Sequence, residues 1–67
     1  MKATREMIEA IKNVHPKERK AAALIAEKTF FIHLEQNRSD HELAQDDASC
    51  VEMAGMAAAA EVAFLYA

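Results

Sequence analysis

The residues with the greatest capacity for chemistry stand close together near the middle of the chain. They are a histidine, two acids and the single cysteine, at His41, Glu42, Asp46 and Cys50. The last three are four residues apart, so on a helix they would share one face. Carboxylate, imidazole and thiolate groups all bind metals, but no spacing here matches a standard zinc pattern. We therefore expect a solvated helix face, with no metal and no other cofactor.

Cys50 is also the obvious nucleophile to consider. A reactive cysteine needs a nearby cation or base to lower its pKa, whereas its neighbours Asp46, Asp47 and Glu52 are acidic. The sequence contains no Ser/His/Asp arrangement and no glycine-rich phosphate loop. We therefore predict a buried thiol and a protein that is not an enzyme.

A cluster of basic residues precedes the central apolar segment. It comprises Lys12, Lys17, Arg19 and Lys20. Positive charge is unfavourable in the first turn of a helix, so these side chains could meet an anion, and a small nucleic-acid-binding regulator is the alternative function. The simpler interpretation is that they are solvated and cover neighbouring alanines with their stems. A helix-turn-helix is disfavoured, because the third helix would begin with acids that repel phosphate.

Composition predicts the all-α class, since helix formers dominate and the chain has only one Gly and one Pro. A first helix is expected at about 5–14 with Thr4 as its N-cap. Pro16 ends that helix and suits the first position of a second one, at about 16–37.

The segment from Ser39 to Glu42 matches the capping box S-x-x-E. It predicts a third helix at about 40–66. A helix of that length would measure about 40 Å, far more than the ~11 Å radius of gyration of a compact chain of this size. We expect it either to bend near Gly55 or to overhang its own domain and pack against a partner.

Apolar residues cover more than one side of the second and third helices. Phe30 and Phe31 are adjacent and so point about 100° apart, and the last fifteen residues carry one charge, Glu61. Small residues at spacings of 3 and 4 in the third helix indicate a close helix–helix contact. These patterns predict a helical hairpin plus a long C-terminal helix, assembled as a homodimeric bundle. The expected interface residues are Leu24, Phe30, Phe31, Val51, Gly55, Met56, Ala58, Val62 and Phe64.

Charge is distributed unevenly along the chain, whose net charge is −3. All eight Lys and Arg precede Ser39, where five Glu leave a balance of +3, and the six acids that follow give −6. Chance and solvated faces are one explanation. The other is that the two parts attract each other, within one chain or across an antiparallel dimer.

The 67 residues form a single domain, 1–67, that is small enough to need reinforcement. One cysteine excludes an internal disulfide, which leaves self-association. The N-terminus lacks the apolar region of a signal peptide, and the apolar tail is too short for a bilayer span. We expect a cytoplasmic protein. A third possibility is a small subunit whose tail packs on a different protein.

In general character the chain resembles the small helical accessory proteins encoded in the early regions of temperate, lambdoid-type bacteriophages. The resemblance is carried by the segments KNVHPKERKAAALIAEK and MAGMAAAAEVAF. Such proteins lack catalytic motifs, and many bind host or phage proteins. The resemblance implies an interaction or regulatory protein with a host or phage protein as partner, and it transfers no functional residue.

Overall fold

A computed structural model describes residues 3–67 as three helices joined by short connections. No strand occurs in this range, which confirms the all-α prediction. The α-helices are α1 (Arg5–Lys12), α2 (Arg19–Arg38) and α3 (Asp47–Leu65), and short 3-10 turns lie at Pro16–Glu18 and Leu43–Gln45.

The first helix begins as predicted and ends two residues early. The Thr4 side chain accepts a hydrogen bond from the backbone N–H of Met7 at 3.3 Å. Asn13 ends α1, and its backbone N–H donates hydrogen bonds to the carbonyls of Ala10 and Ile11. Pro16 then opens a 3-10 turn rather than an α-helix, and the α-helical part of the second helix starts at Arg19 and extends to Arg38.

The third helix is where the prediction was wrong. Ser39 does not cap it, because its hydroxyl donates to the Glu35 carbonyl at 2.9 Å and closes the end of α2 instead. Asp40 caps the 3-10 turn, and α3 begins at Asp47 behind Asp46, whose carboxylate accepts from the Ser49 N–H at 3.3 Å. With 19 residues α3 is only about 28 Å long. It therefore does not overhang a molecule that is 40 Å in its longest dimension.

The third helix packs along both of the others, whereas α1 and α2 share few contacts. The main pair is thus α2 with α3, rather than the expected hairpin of the first two helices. α2 and α3 are antiparallel, because their connection holds the end of one against the start of the other. Asn37 donates to the Cys50 carbonyl at 3.1 Å across that junction.

The core between the helices is built mainly from small side chains. Close packing of small residues brings the helix backbones near each other but buries little apolar area per residue. The buried residues are Met7, Val14, Ala22, Ala26, Phe30, Leu34, Cys50, Ala54, Ala58 and Val62. Because so much of this core is alanine, many larger apolar side chains remain outside it.

Among residues 3–67, eight large apolar side chains are exposed to solvent: Ile8, Leu24, Phe31, Ile32, Met53, Met56, Phe64 and Leu65. Single exposed apolar residues are normal, but groups of them mark interaction surfaces. Seven of these eight lie on α2 and α3, and all of the seven except Leu65 belong to two candidate functional surfaces.

Candidate interaction surfaces

The residues with the greatest chemical capacity do not form a site. His41 and Glu42 lie exposed in the connection before α3, and Asp46 caps that helix. Cys50 is fully buried, with its Sγ 3.1 Å from the Leu43 carbonyl oxygen that accepts its hydrogen bond. Within residues 3–67, no three His, Cys, Asp or Glu side chains are grouped so that they could hold a metal ion. The cluster therefore has a structural role at the start of α3.

Two carboxylates at that point are held in their charged form by hydrogen bonds. Donation from the Ser49 hydroxyl and N–H lowers the pKa of Asp46 below its ordinary value. Arg38 binds Asp47 with two hydrogen bonds, Nε to Oδ1 at 2.7 Å and Nη2 to Oδ2 at 3.0 Å. This pairing lowers the pKa of Asp47 and raises that of Arg38. The arrangement joins the last turn of α2 to the first turn of α3.

Arg19, one of the four residues of the predicted basic patch, has a structural role instead. The Arg19 side chain donates from Nε to the Val14 carbonyl at 3.0 Å and from Nη2 to the Lys12 carbonyl at 2.9 Å. These are carbonyls at the end of α1, which have no partner within the helix. Lys12 is 3.9 Å from Glu9 in an exposed ion pair. Lys17 and Lys20 are exposed, so the patch that remains is three solvated lysines.

The nine predicted interface residues fall into two groups. Phe30, Ala58 and Val62 lie in the core of the single chain, and Gly55 is buried there too. Val51 is half-buried. The exposed members are Leu24, Phe31, Met56 and Phe64, with 66%, 48%, 55% and 79% of their surface accessible. Only these four, and part of Val51, are open to another molecule in this fold.

Gly55 forms the close contact that the small-residue pattern predicts, but with α1 of the same chain. A Cβ atom at this position would lie closer than 3.0 Å to both Thr4 Oγ1 and Thr4 Cβ. Both distances are shorter than real Cβ contacts, so only glycine allows the cap of α1 to approach α3 this closely. Gly55 is thus explained by packing within one chain.

The first candidate surface, which we call the α2 outer surface, lies on the side of that helix opposite its buried residues. The buried stripe includes Ala26, and 100° per residue places Leu24 and Phe31 on the far side of α2 from it. The ring of Phe31 contacts that of buried Phe30 edge to face, with 5.5 Å between centroids. Shallow hollows lie on both sides of Glu35. The surface consists of Ala21, Leu24, Ile25, Lys28, Phe31, Ile32 and Glu35.

The second, the α3 outer surface, points away from α1. Gly55 meets Thr4, and Val62 and Tyr66 border a groove shared with α1. Two residues along a helix is a rotation of 200°, so the neighbours two positions from these residues face the opposite way. The surface consists of Met53, Met56, Ala57, Ala60 and Phe64. Glu52 and Glu61 lie exposed beside it, and α3 contains no Lys or Arg.

The sequence reasoning missed Ile32 and Met53, which the structure exposes at 47% and 44%. The signal for Ile32 was present in the run Phe30-Phe31-Ile32, because three adjacent helical residues cannot all face one core. Met53 carried no comparable signal, since its exposure depends on which side of α3 the first helix covers.

One helix in the described range, α3, is long and apolar enough to cross a membrane by length and composition alone. The core helix of a soluble protein passes the same test. Such a core helix is mostly buried, whereas 28% of the apolar window of α3 is buried here, including Cys50, Ala58 and Val62. The class that the fold defines is a small all-α protein with two uncovered apolar helix surfaces. The chain matches no protein-family model, no curated protein and no solved structure.

Proposed function

We propose that this protein is a small, non-enzymatic interaction or regulatory module that acts as a helical homodimer in the cytoplasm. The observation that carries the proposal is the pair of uncovered apolar surfaces on α2 and α3. A second copy covers one of them, and the other binds a partner protein. The resemblance to phage accessory proteins is consistent with a host or phage protein as that partner.

The thin core supports self-association as a source of stability. Chains of this length bury only about 60% of the surface that they expose when unfolded. No internal disulfide can reinforce this one, because Cys50 is the single cysteine in the sequence. Burial of large side chains such as Leu24 and Phe31 would add about 25 cal/mol for each Å² of apolar surface removed from water.

The α3 outer surface suits the partner protein. Its methionines adapt to different shapes, since unbranched thioether side chains repack easily. Glu52 and Glu61 add negative charge beside it, so a partner helix with apolar and basic faces would be complementary in both respects.

The alternative, nucleic-acid binding through Lys12, Lys17, Arg19 and Lys20, is less well supported. The guanidinium of Arg19 is engaged by two carbonyls at the end of α1. Three exposed lysines remain, in a chain with net charge −3. We therefore keep the interaction module as the proposal.

The solution mass tests the proposal directly. Size exclusion with light scattering at micromolar concentration is expected to give twice the 7.4 kDa of the chain. A mass of one chain would contradict the dimer.

The partner surface is tested by pull-down. The intact chain is compared with the variant Met53→Glu/Phe64→Glu, and partners lost only from the variant would support the proposal. A mobility shift of duplex DNA that falls steeply with salt would favour the alternative instead.

A further inference from the structure

We infer that the homodimer forms through the α2 outer surface, with the two α2 helices antiparallel. The inference rests on the proposed homodimer and specifies which surface is used and in which direction. It follows from the spacing of the apolar residues on α2, from the charges at the two ends of that helix, and from the lack of positive charge on α3.

The apolar residues of the α2 outer surface repeat every seven positions. Leu24 and Phe31 are seven residues apart, and so are Ile25 and Ile32 beside them. Residues seven positions apart return to nearly the same side of a helix, so these four side chains form one apolar stripe along α2. Lys28 lies between the two groups, so an antiparallel pair brings the Lys28 side chains of both copies to its centre. Their stems can cover apolar surface while the two ammonium groups extend to water on either side. α2 has 20 residues and is about 30 Å long, which provides a contact along most of the molecule.

The two ends of this surface carry opposite charge. Lys17 and Lys20 are exposed at its start, where Glu18 alone opposes them. At its other end Glu35, Asp40 and Glu42 are exposed. The nearby cation, Arg38, is paired with Asp47 and so adds little net charge there.

An antiparallel pair places the basic end of each helix against the acidic end of the other. A parallel pair would place like charges together at both ends, which is unfavourable. The antiparallel arrangement also opposes the two helix dipoles favourably.

The α3 outer surface is apolar as well, but it is not suited to contact its own copy. Such a pair would carry Glu52 and Glu61 of each chain along its two edges. No Lys or Arg on α3 could compensate for the four carboxylates. Self-association therefore favours the α2 outer surface, and the α3 outer surface remains available to a different molecule.

The location of the interface is tested with matched variants on the two surfaces. Phe31→Glu and Met56→Glu each replace a half-exposed apolar side chain with a carboxylate. We expect Phe31→Glu to weaken the dimer at least 100-fold by analytical ultracentrifugation, since each dimer would carry two buried charges. Met56→Glu is expected to leave the dissociation constant within threefold of the parent. Thermal unfolding at low concentration checks that both variants fold.

The outcomes separate the inference from the proposed function. A dimer that is lost with Met56→Glu and kept with Phe31→Glu would overturn the inference while the homodimer stands. A parent chain that is monomeric would overturn both. A dimer that survives both variants would overturn the α2 contact and leave the proposed function intact.

The antiparallel direction of the two α2 helices is tested by reversing charges at the two ends of the α2 outer surface. Lys17→Glu/Lys20→Glu puts negative charge at both ends of the surface and is expected to weaken the dimer about tenfold at low salt. Adding Glu35→Lys/Glu42→Lys leaves Asp40 as the one unpaired acid at that end and so exchanges the signs of the two ends. The exchange restores complementarity only in an antiparallel pair. Recovery of affinity in this quadruple variant supports the inference, and its absence contradicts the antiparallel direction.

Discussion

The third helix is held at its start and at its middle by opposite kinds of contact. Its start is fixed by directional polar bonds from Arg38, Asn37 and the Asp46 cap. Its middle is held by close apolar packing, in which Gly55 meets Thr4. The polar bonds lie where α3 begins, and we expect loss of buried packing to cost more stability than loss of an exposed polar bond. The four predictions that follow test this division, beginning with the packed region.

Phe30→Ala should have the largest effect, because Phe30 is only 4% exposed. Loss of a buried Phe side chain costs about 3–5 kcal/mol, including the cavity that it leaves. The adjacent Phe31→Ala is the matched control, with an expected cost of about 1 kcal/mol from its edge contact with Phe30. Urea unfolding of dilute protein measures both. Equal effects of the two variants would contradict the packing described here.

Gly55→Ala should destabilise the chain although alanine is the better helix former. The new Cβ would overlap Thr4, and such overpacking costs about 1–3 kcal/mol against a gain of about 1 kcal/mol in helix propensity. Thr4→Gly removes the overlapping atoms and keeps a tolerated N-cap. The double variant should therefore be more stable than Gly55→Ala alone. If Thr4→Gly gives no rescue, the contact with α1 is not the reason for the glycine.

At the polar end, Arg38→Gln should lower the melting temperature by less than either substitution in the packed region. The change removes both hydrogen bonds to Asp47, which is exposed and screened by water. Lys28→Gln removes the same charge from the same helix at an exposed position. It serves as the control in protein dilute enough to be monomeric, because Lys28 also lies on the α2 outer surface. Circular dichroism melts of the two variants should differ only through the bond to Asp47. Identical melts would show that this bond does not stabilise the fold.

The smallest expected effect is a loss of stability in acid. Asp46 and Asp47 have pKa values in the folded chain below the ordinary 3.8, so the unfolded chain binds more protons as the pH falls. Their contribution is complete above the unfolded pKa and is lost as the pH falls through the lower folded values. Asp47→Asn should flatten the dependence of melting temperature on pH below about 4. Glu52→Gln is the control, and an equal flattening there would contradict the assignment.

The elements whose signals are local could be predicted from sequence. Thr4 as a cap and Pro16 as a boundary depend only on the residues that follow them. The start of α3 could not, because Ser39-x-x-Glu42 and Asp46-x-x-Ser49 both offer a cap. Which of the two caps is used depends on hydrogen bonds from α2. Arg38 binds Asp47 and Asn37 binds the Cys50 carbonyl, and both bonds favour a helix that starts at Asp47. The spacing of small residues likewise predicted a close helix–helix contact at Gly55. It did not show whether the second helix belongs to the same chain or to another one.

The candidate surfaces could also be predicted only in part from the sequence. Adjacent Phe30 and Phe31 indicate that α2 has apolar residues on two sides, but the sequence does not say which side faces the core. That is decided by the position of α3, and it left Phe31 outside and Phe30 inside. Ala58 and Val62 were expected at an interface for the same reason and lie within the single chain.

The contact between Thr4 and Gly55 also bears on how the chain acquires its fold. α2 and α3 are neighbours in sequence and can pair through a short loop, whereas α1 must close a loop that spans most of the polypeptide. During synthesis α1 emerges before α3, so it has to wait for α3 before the two can pack. During that interval α1 is a short amphipathic peptide without its docking site, and its amide protons should be the first to exchange with solvent in the finished protein.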